Sequence, residues 1–243
     1  MANLYAGTSG WSYASWKPGF YPAKLASAKF LQHYAGRLNT VEVNYTFRHF
    51  APEKTLNNWI AATPDHFKFS LKAHQNITHV KRLRDASEYA RSFLTSLQPV
   101  AQAGKLGMVL FQLPPFLKAD AALLDEFIAG LPAATCYAFE FRHASWFTDQ
   151  TFDTLRKHNA ALCVAESEKL ETPDVATAGF CYYRLRKPEY STAEQAQIET
   201  KVQRHLSEGR DVFVYYKHED TPEGALNAEQ LLASAAAAKA GSE

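Results

Sequence analysis

Two short strings carry charged residues at alternate positions near the end of apolar runs: Glu42 and Asn44 around Val43, and Glu140 and Arg142 around Phe141. Alternate side chains of an extended strand share a face, so each pair points one way. A carboxylate beside an amide or a guanidinium can exchange a proton, hold a cation or neutralise its neighbour. Glu140 is the leading acid/base candidate and Glu42 the second, and His143 is either a proton shuttle or a hydrogen-bonding partner of a carboxylate. Other apolar runs end in comparable groups, namely Lys72, Gln112, Glu166, Arg184 and Tyr216. In this reading Lys72, Arg142 and Arg184 hold negative charge, while Asn44 and Gln112 orient a ligand. Trp11, Tyr13 and Trp146 offer ring faces suited to a sugar or a nucleobase. Trp16 reads as packing, because Pro18 and Pro22 suggest a rigid turn around it.

Three chemistries compete for the carboxylates. In acid/base catalysis, a neighbouring cation keeps one Glu ionised while an apolar wall raises the pKa of another. In a metal site, Glu140 and Glu166, with His143 or His218, hold a divalent cation. In the third, Glu and Arg only close the top of the fold as ion pairs. The dispersed histidines form no ligand-spaced motif, which counts against the metal reading, and a divalent metal is the one cofactor contemplated. No Gly-x-Gly-x-x-Gly or Gly-x-x-x-x-Gly-Lys-Ser/Thr string occurs, and no nucleotide cofactor is expected.

The elements that must position these groups are legible as periodicity. Eight runs read as strands: residues 4–10, 40–44, 67–72, 106–113, 137–141, 161–166, 180–185 and 212–216. Most are continuously apolar, as strands buried on both faces are. Helix-period segments alternate with them, for example Phe30, Leu31, Tyr34 and Leu38, or Leu123, Leu124, Phe127 and Ile128. Ser191 and Glu194 have capping-box spacing, and Gly209 follows where that helix would end. Strand and helix alternating eight times in 243 residues predict one α/β domain over 1–243, a (β/α)8 TIM-type barrel. The stretch from Lys169 to Ala178 is short and rich in Thr and Pro, so the sixth crossover helix is expected to be abbreviated. In such a barrel, the C-terminal strand ends form the mouth where these polar residues meet.

Bulk properties narrow the function class. A formal net charge of +1 lacks the long-range positive field of most duplex nucleic-acid binders and polybasic membrane binders. No segment reaches the ~20 apolar residues of a membrane span and Met1 to Gly10 carries no leader pattern, so a cytoplasmic location is expected. Cys136, Cys163 and Cys181 are widely spaced among apolar residues and read as small buried hydrophobes. The expected function is an enzyme of hydrolase or isomerase type acting on a small polar, anionic or carbohydrate-like substrate. The alternatives are a single-stranded nucleic-acid module using exposed aromatics with Lys81, Arg82 and Arg84, or a barrel scaffold without catalysis. A solvated helix start is the competing reading of the Lys81 to Arg84 stretch.

Six strings in order carry a resemblance over essentially the whole chain. They are Gly7-Thr8-Ser9-Gly10-Trp11 with Tyr13, Trp16 and Phe20-Tyr21-Pro22; Val41-Glu42-Val43-Asn44 with Phe47; Ile77-Thr78-His79; Gln112-Leu113-Pro114-Pro115; Glu140-Phe141-Arg142-His143 with Ser145-Trp146; and Tyr183-Arg184-Leu185. Together they resemble the YecE-like family, domain of unknown function 72. The resemblance implies a (β/α)8 barrel with a cleft at the strand C-termini and brings no established activity. The chain departs from the family pattern at Arg186 and Lys187, where a His-Gly is typical, and at Lys217 and His218, where asparagines are common. An aspartate is also common near Glu166. These departures imply a mouth recharged on one side.

Overall fold

The computed structural model describes residues 2–217 and 220–240, so His218 lies outside the described residues. Eight parallel strands close in chain order: β1 (Leu4–Ser9), β2 (Thr40–Val43), β3 (Lys68–Lys72), β4 (Leu106–Gln112), β5 (Cys136–Glu140), β6 (Ala161–Ala165), β7 (Phe180–Leu185) and β8 (Asp211–Tyr216). Closure comes from β8 pairing with β1, Leu4 opposite Val212 through Thr8 opposite Tyr216. Outside the ring, α1 (Phe30–Ala35) and α2 (Glu53–Ala61) follow β1 and β2. The β3 crossover carries α3 (Ser87–Ser96) and α4 (Gln98–Gln102), and α5 (Ala121–Ala129) and α6 (Asp149–Lys157) follow β4 and β5. Finally, α7 (Thr192–Ser207) and α8 (Glu223–Ala240) follow β7 and β8. The expected TIM-type barrel is thus the observed fold, with strand bounds shifted by at most one residue.

Local chemistry explains the elements. Asp120 and Thr148 accept backbone N–H bonds at the heads of α5 and α6, and Ser191 and Glu194 form the anticipated capping box of α7. Gly209, at φ +80°, turns the chain from α7 into β8. Gly7 is required by a close approach: a Cβ there would stand 2.0 Å from the Thr40 carbonyl oxygen. Over that gap the Tyr34 hydroxyl accepts from Thr8 N at 2.8 Å and donates to Thr40 O at 2.9 Å, stitching α1 to β1 and β2.

Among the described residues no helix lies between β6 and β7. Thr177 closes that segment instead, donating to Ala160 O at 2.7 Å and accepting from Leu162 N at 2.8 Å. The missing helix leaves a cavity of about 110 Å³ against α7, lined by Val164, Tyr183, Leu185 and Ile198 among others. Among the described residues no helix is long and apolar enough to cross a membrane.

The inside of the ring is layered. Tyr5, Met108, Phe180 and Phe213 fill the N-terminal end, and Leu110, Ala138, Cys163, Tyr182 and Tyr215 the middle. Polarity rises towards the C-terminal end, where Ser9, Glu42, Gln112, Glu140 and Arg184 are buried. Cys163 and Cys181 are buried as expected, but Cys136 is exposed, because it opens β5 at the solvent-facing rim.

Candidate functional site

The top interior layer is one hydrogen-bonded network centred on Arg184, which is 2% exposed. Its Nη2 donates to Glu42 Oε1 at 2.7 Å and its Nη1 to Glu140 Oε2 at 2.5 Å. Glu42 also accepts from Ser9 Oγ at 2.8 Å, from Tyr182 Oη at 2.8 Å and, at 3.5 Å, from Asn44 Nδ2. Glu140 accepts from Gln112 Nε2 at 2.9 Å and from Arg186 Nη2 at 3.1 Å, and Arg142 Nε lies 3.8 Å away. Lys72 Nζ extends the chain of bonds by donating to Gln112 Oε1 at 2.7 Å, and it sits 4.1 Å from the centre of the Phe47 ring.

This arrangement sets the charges. Burial works to raise the carboxyl pKa of Glu140, but the Arg184 and Arg186 guanidiniums outweigh it and hold Glu140 down at about 2. Burial of Glu42 is likewise outweighed, by Arg184 and by the Ser9 and Tyr182 hydroxyls, and its pKa is lowered. For Glu42 and Glu140, the expectation that one is raised while the other stays ionised is therefore corrected: a single guanidinium bridges both. Lys72 is the displaced group, brought down to about 8 by burial and by Arg184, against an opposing pull from Glu42 and Glu140. His79 is lowered by burial and by the nearby Lys72 and Arg142.

Above the network opens a cavity of about 530 Å³ whose wall includes Arg48, Lys72, Arg142, Arg184, Arg186 and Lys217. Asn44, Tyr45, Phe47, His49 and Gln112 complete the lining, and no Asp or Glu contributes to it among the described residues. Six cationic side chains thus surround a space beneath which lie two carboxylates, both already engaged. The Nε atoms of Arg184 and Arg186 are buried without an acceptor. Buried guanidinium N–H groups are costly to leave unpaired.

The anticipated residues divide into three groups. Glu42, Asn44, Lys72, Gln112, Glu140, Arg142 and Arg184 come together at the mouth. Trp11 and Tyr13 line an adjoining cavity that shares Asn44 and Tyr45 with it. Four others go elsewhere. Tyr216 points outward, donating to Gln195 on α7 at 3.2 Å and meeting Tyr190 edge-on, because Tyr215 takes the interior position. Glu166 is also outside the ring, since Ala165 faces in; it accepts from Arg186 N at 2.7 Å and from Tyr190 Oη at 2.5 Å, fastening the β7–α7 loop. His143 Nδ1 pairs with Ser145 Oγ at 2.9 Å to cap a short turn. Trp146 is 1% exposed, stacked on Phe141 at 4.6 Å, with Nε1 donating to Leu117 O, and Trp16 is fully buried.

Glu140 and Glu166 therefore do not converge on a metal. Among the described residues no group of three or more His, Cys, Asp or Glu side chains is arranged to hold one. In the Lys81 to Arg84 stretch, Arg84 pairs with Asp120, Lys81 donates to Asp85 O, and Arg82 covers the Phe116 ring. Sequence reasoning passed over Ser9, Tyr182, Arg48 and His49. The first two were accessible from parity, Ser9 standing two residues before Trp11 and Tyr182 two before Arg184, on strands whose end was already assigned. Of the departures from the family pattern, Arg186 and Lys217 stand on the cavity wall, while Lys187 lines the cavity against α7.

The comparisons agree with the barrel fold. UPF0759 protein YunF of Bacillus subtilis is 33% identical over 157 residues, covering 62% of this chain, and the chain spans about half (54%) of that relative's length. The crystal structure of a DUF72 family protein from Thermotoga maritima superposes with a TM-score of 0.85 at 25% identity, covering 96% of this chain and 98% of the other. Another DUF72 family protein, from Enterococcus faecalis, gives 0.76 at 19% identity, with 96% and 98% covered. A family 2 AP endonuclease from Brucella melitensis, at 0.53 and 10% identity over 97% of this chain and 98% of its own, shares the fold alone. The model of the family described as "Protein of unknown function DUF72" matches residues 5–242, and the chain belongs to that family.

Proposed function

We propose that the barrel mouth binds a small anionic substrate, with Lys72 as the group that exchanges a proton with it. The observation that carries this reading is the wall of six cationic side chains, with no carboxylate among its described residues, over two carboxylates that Arg184 and Arg186 already pair. Guanidinium forks suit carboxylate and phosphate oxygens, and buried ones do so with little screening. Glu42 and Glu140 serve as anchors that fix the direction of Arg184 and Arg186. Glu140, at about 2, is too weak a base for proton transfer near neutrality, whereas Lys72, at about 8, lies in the useful range. Hydrolase- or isomerase-type chemistry is consistent with one such amine beside a clamped anion.

The test is calorimetric titration with pyrophosphate at two ionic strengths, on the intact chain and on Arg142→Ala. Saturable binding, weakened roughly tenfold to a hundredfold by the substitution, supports the reading, since a charge-assisted hydrogen bond contributes about 1.5–3 kcal/mol. No binding of pyrophosphate overturns it. So does tighter binding of single-stranded oligonucleotides of any sequence with a steep salt dependence, the behaviour of a nucleic-acid module.

A further inference from the structure

Beside the cationic mouth lies a second cavity of about 290 Å³, walled by Trp11, Tyr13, Val43 and Trp59 and sharing Asn44 and Tyr45 with the mouth. Its aromatic side is held in place by backbone bonds. Gly10, at φ +95°, turns the chain out of β1. Tyr13 Oη then donates back to Ser9 O at 2.9 Å, and Tyr21 Oη donates to Trp11 O at 2.5 Å, pinning the loop at two points. Trp11 stands edge-on to Trp59, ring centres 5.5 Å apart at 88°, and Trp59 lies flat against Phe69 at 5.9 Å. Tyr45, in the partition between the two cavities, is 48% exposed. Preset ring faces left open to solvent contribute stacking to a ligand at little ordering cost.

We propose that one ligand spans both cavities: a phosphate monoester whose other end is a flat aromatic or heteroaromatic ring. The phosphate lies among Arg142, Arg184 and Arg186, and the ring lies against Trp11 and Tyr45. This rests on the anion-binding reading above and adds the class of the group that the anion carries. The excess of cations over carboxylates at the mouth suits a dianion. Among the described residues the neighbouring cavity adds no charged side chain to its wall, so it suits the uncharged end of the same molecule.

Calorimetric titration of the full chain with inorganic phosphate, 1-naphthyl phosphate and glucose 6-phosphate tests it. The expected result is that 1-naphthyl phosphate binds about tenfold or more tighter than phosphate, as one stacked ring supplies. Glucose 6-phosphate gains less, and naphthyl phosphate quenches tryptophan fluorescence, since Trp11 and Trp59 are half-buried while Trp16 and Trp146 are enclosed. In Trp11→Leu, and separately in Trp59→Leu, the ratio of the naphthyl phosphate to the phosphate affinity falls towards one. Phosphate that saturates the protein while naphthyl phosphate binds no tighter, or a sugar phosphate that gains as much, overturns the spanning ligand and leaves the anion site standing. So does a gain that survives both substitutions. Absence of binding by phosphate and by both esters overturns the two readings together.

Discussion

Replacing Glu140 by Gln removes one charge from the buried network and keeps its shape. The carboxyl is 1% exposed and lies 2.5 Å from Arg184 Nη1 and 3.1 Å from Arg186 Nη2. A carboxyl lowered from 4.5 to about 2 favours the folded state, at roughly 1.4 kcal/mol per tenfold change in proton affinity, by about 3 kcal/mol once ionised. Breaking a buried ion pair by removing one partner costs a similar ~3–5 kcal/mol. Because the folded pKa is depressed, this stabilisation is present above pH 4.5 and is lost as pH falls from there through 2. Glu140→Gln should therefore lower the melting temperature at pH 7 by about 6–12 °C for a chain of this size. The gap between variant and wild type should close on acidification. The assay is thermal unfolding of both proteins from pH 7 downward. Equal stability at pH 7, or a gap that persists unchanged at pH 3, would refute the assignment of Glu140 as an ionised anchor.

Other outcomes follow from the same geometry. Binding of an anion beside Lys72 should raise its pKa from about 8 and take up protons, so calorimetry near pH 8–9 in buffers of different ionisation enthalpy should show net proton uptake, absent in Lys72→Met. Amine labelling of Lys72 read by mass spectrometry should have a midpoint near pH 8, well below that of exposed lysines, and bound pyrophosphate should suppress it. Gly7→Ala should destabilise by about 2 kcal/mol or more, measured by urea unfolding, because the new methyl displaces Tyr34 from its bridge between β1 and β2. Tyr216→Phe should leave pyrophosphate affinity within twofold of wild type, since the hydroxyl faces α7 and not the mouth.

The two strand-end pairs were readable because each carries a polar pattern that breaks an apolar run: Glu42 with Asn44 and Glu140 with Arg142 follow strand alternation, and all four meet at the mouth. The same logic slipped by one position at Glu166 and Tyr216. There the run is apolar on both faces, and nothing in Ala161–Ala165 or Asp211–Tyr216 marks which parity faces inward. Trp146 and His143 were misplaced for another reason: residue type announces an aromatic face or a proton carrier, but a local turn had engaged His143, and stacking on Phe141 with a bond to Leu117 O had engaged Trp146.

The amino-acid sequence alone determined the barrel, since eight buried apolar runs separated by helix-period segments leave parallel closure as the arrangement that covers them all. It also determined the rim at which polar side chains would gather. Only the tertiary structure decided the electrostatics there, because Arg184 reaches Glu42 across 142 residues and Glu140 across 44, contacts that exist only once the ring has closed. That closure converted two candidate acids into fixed counter-charges and left Lys72 as the group whose proton is loosely held.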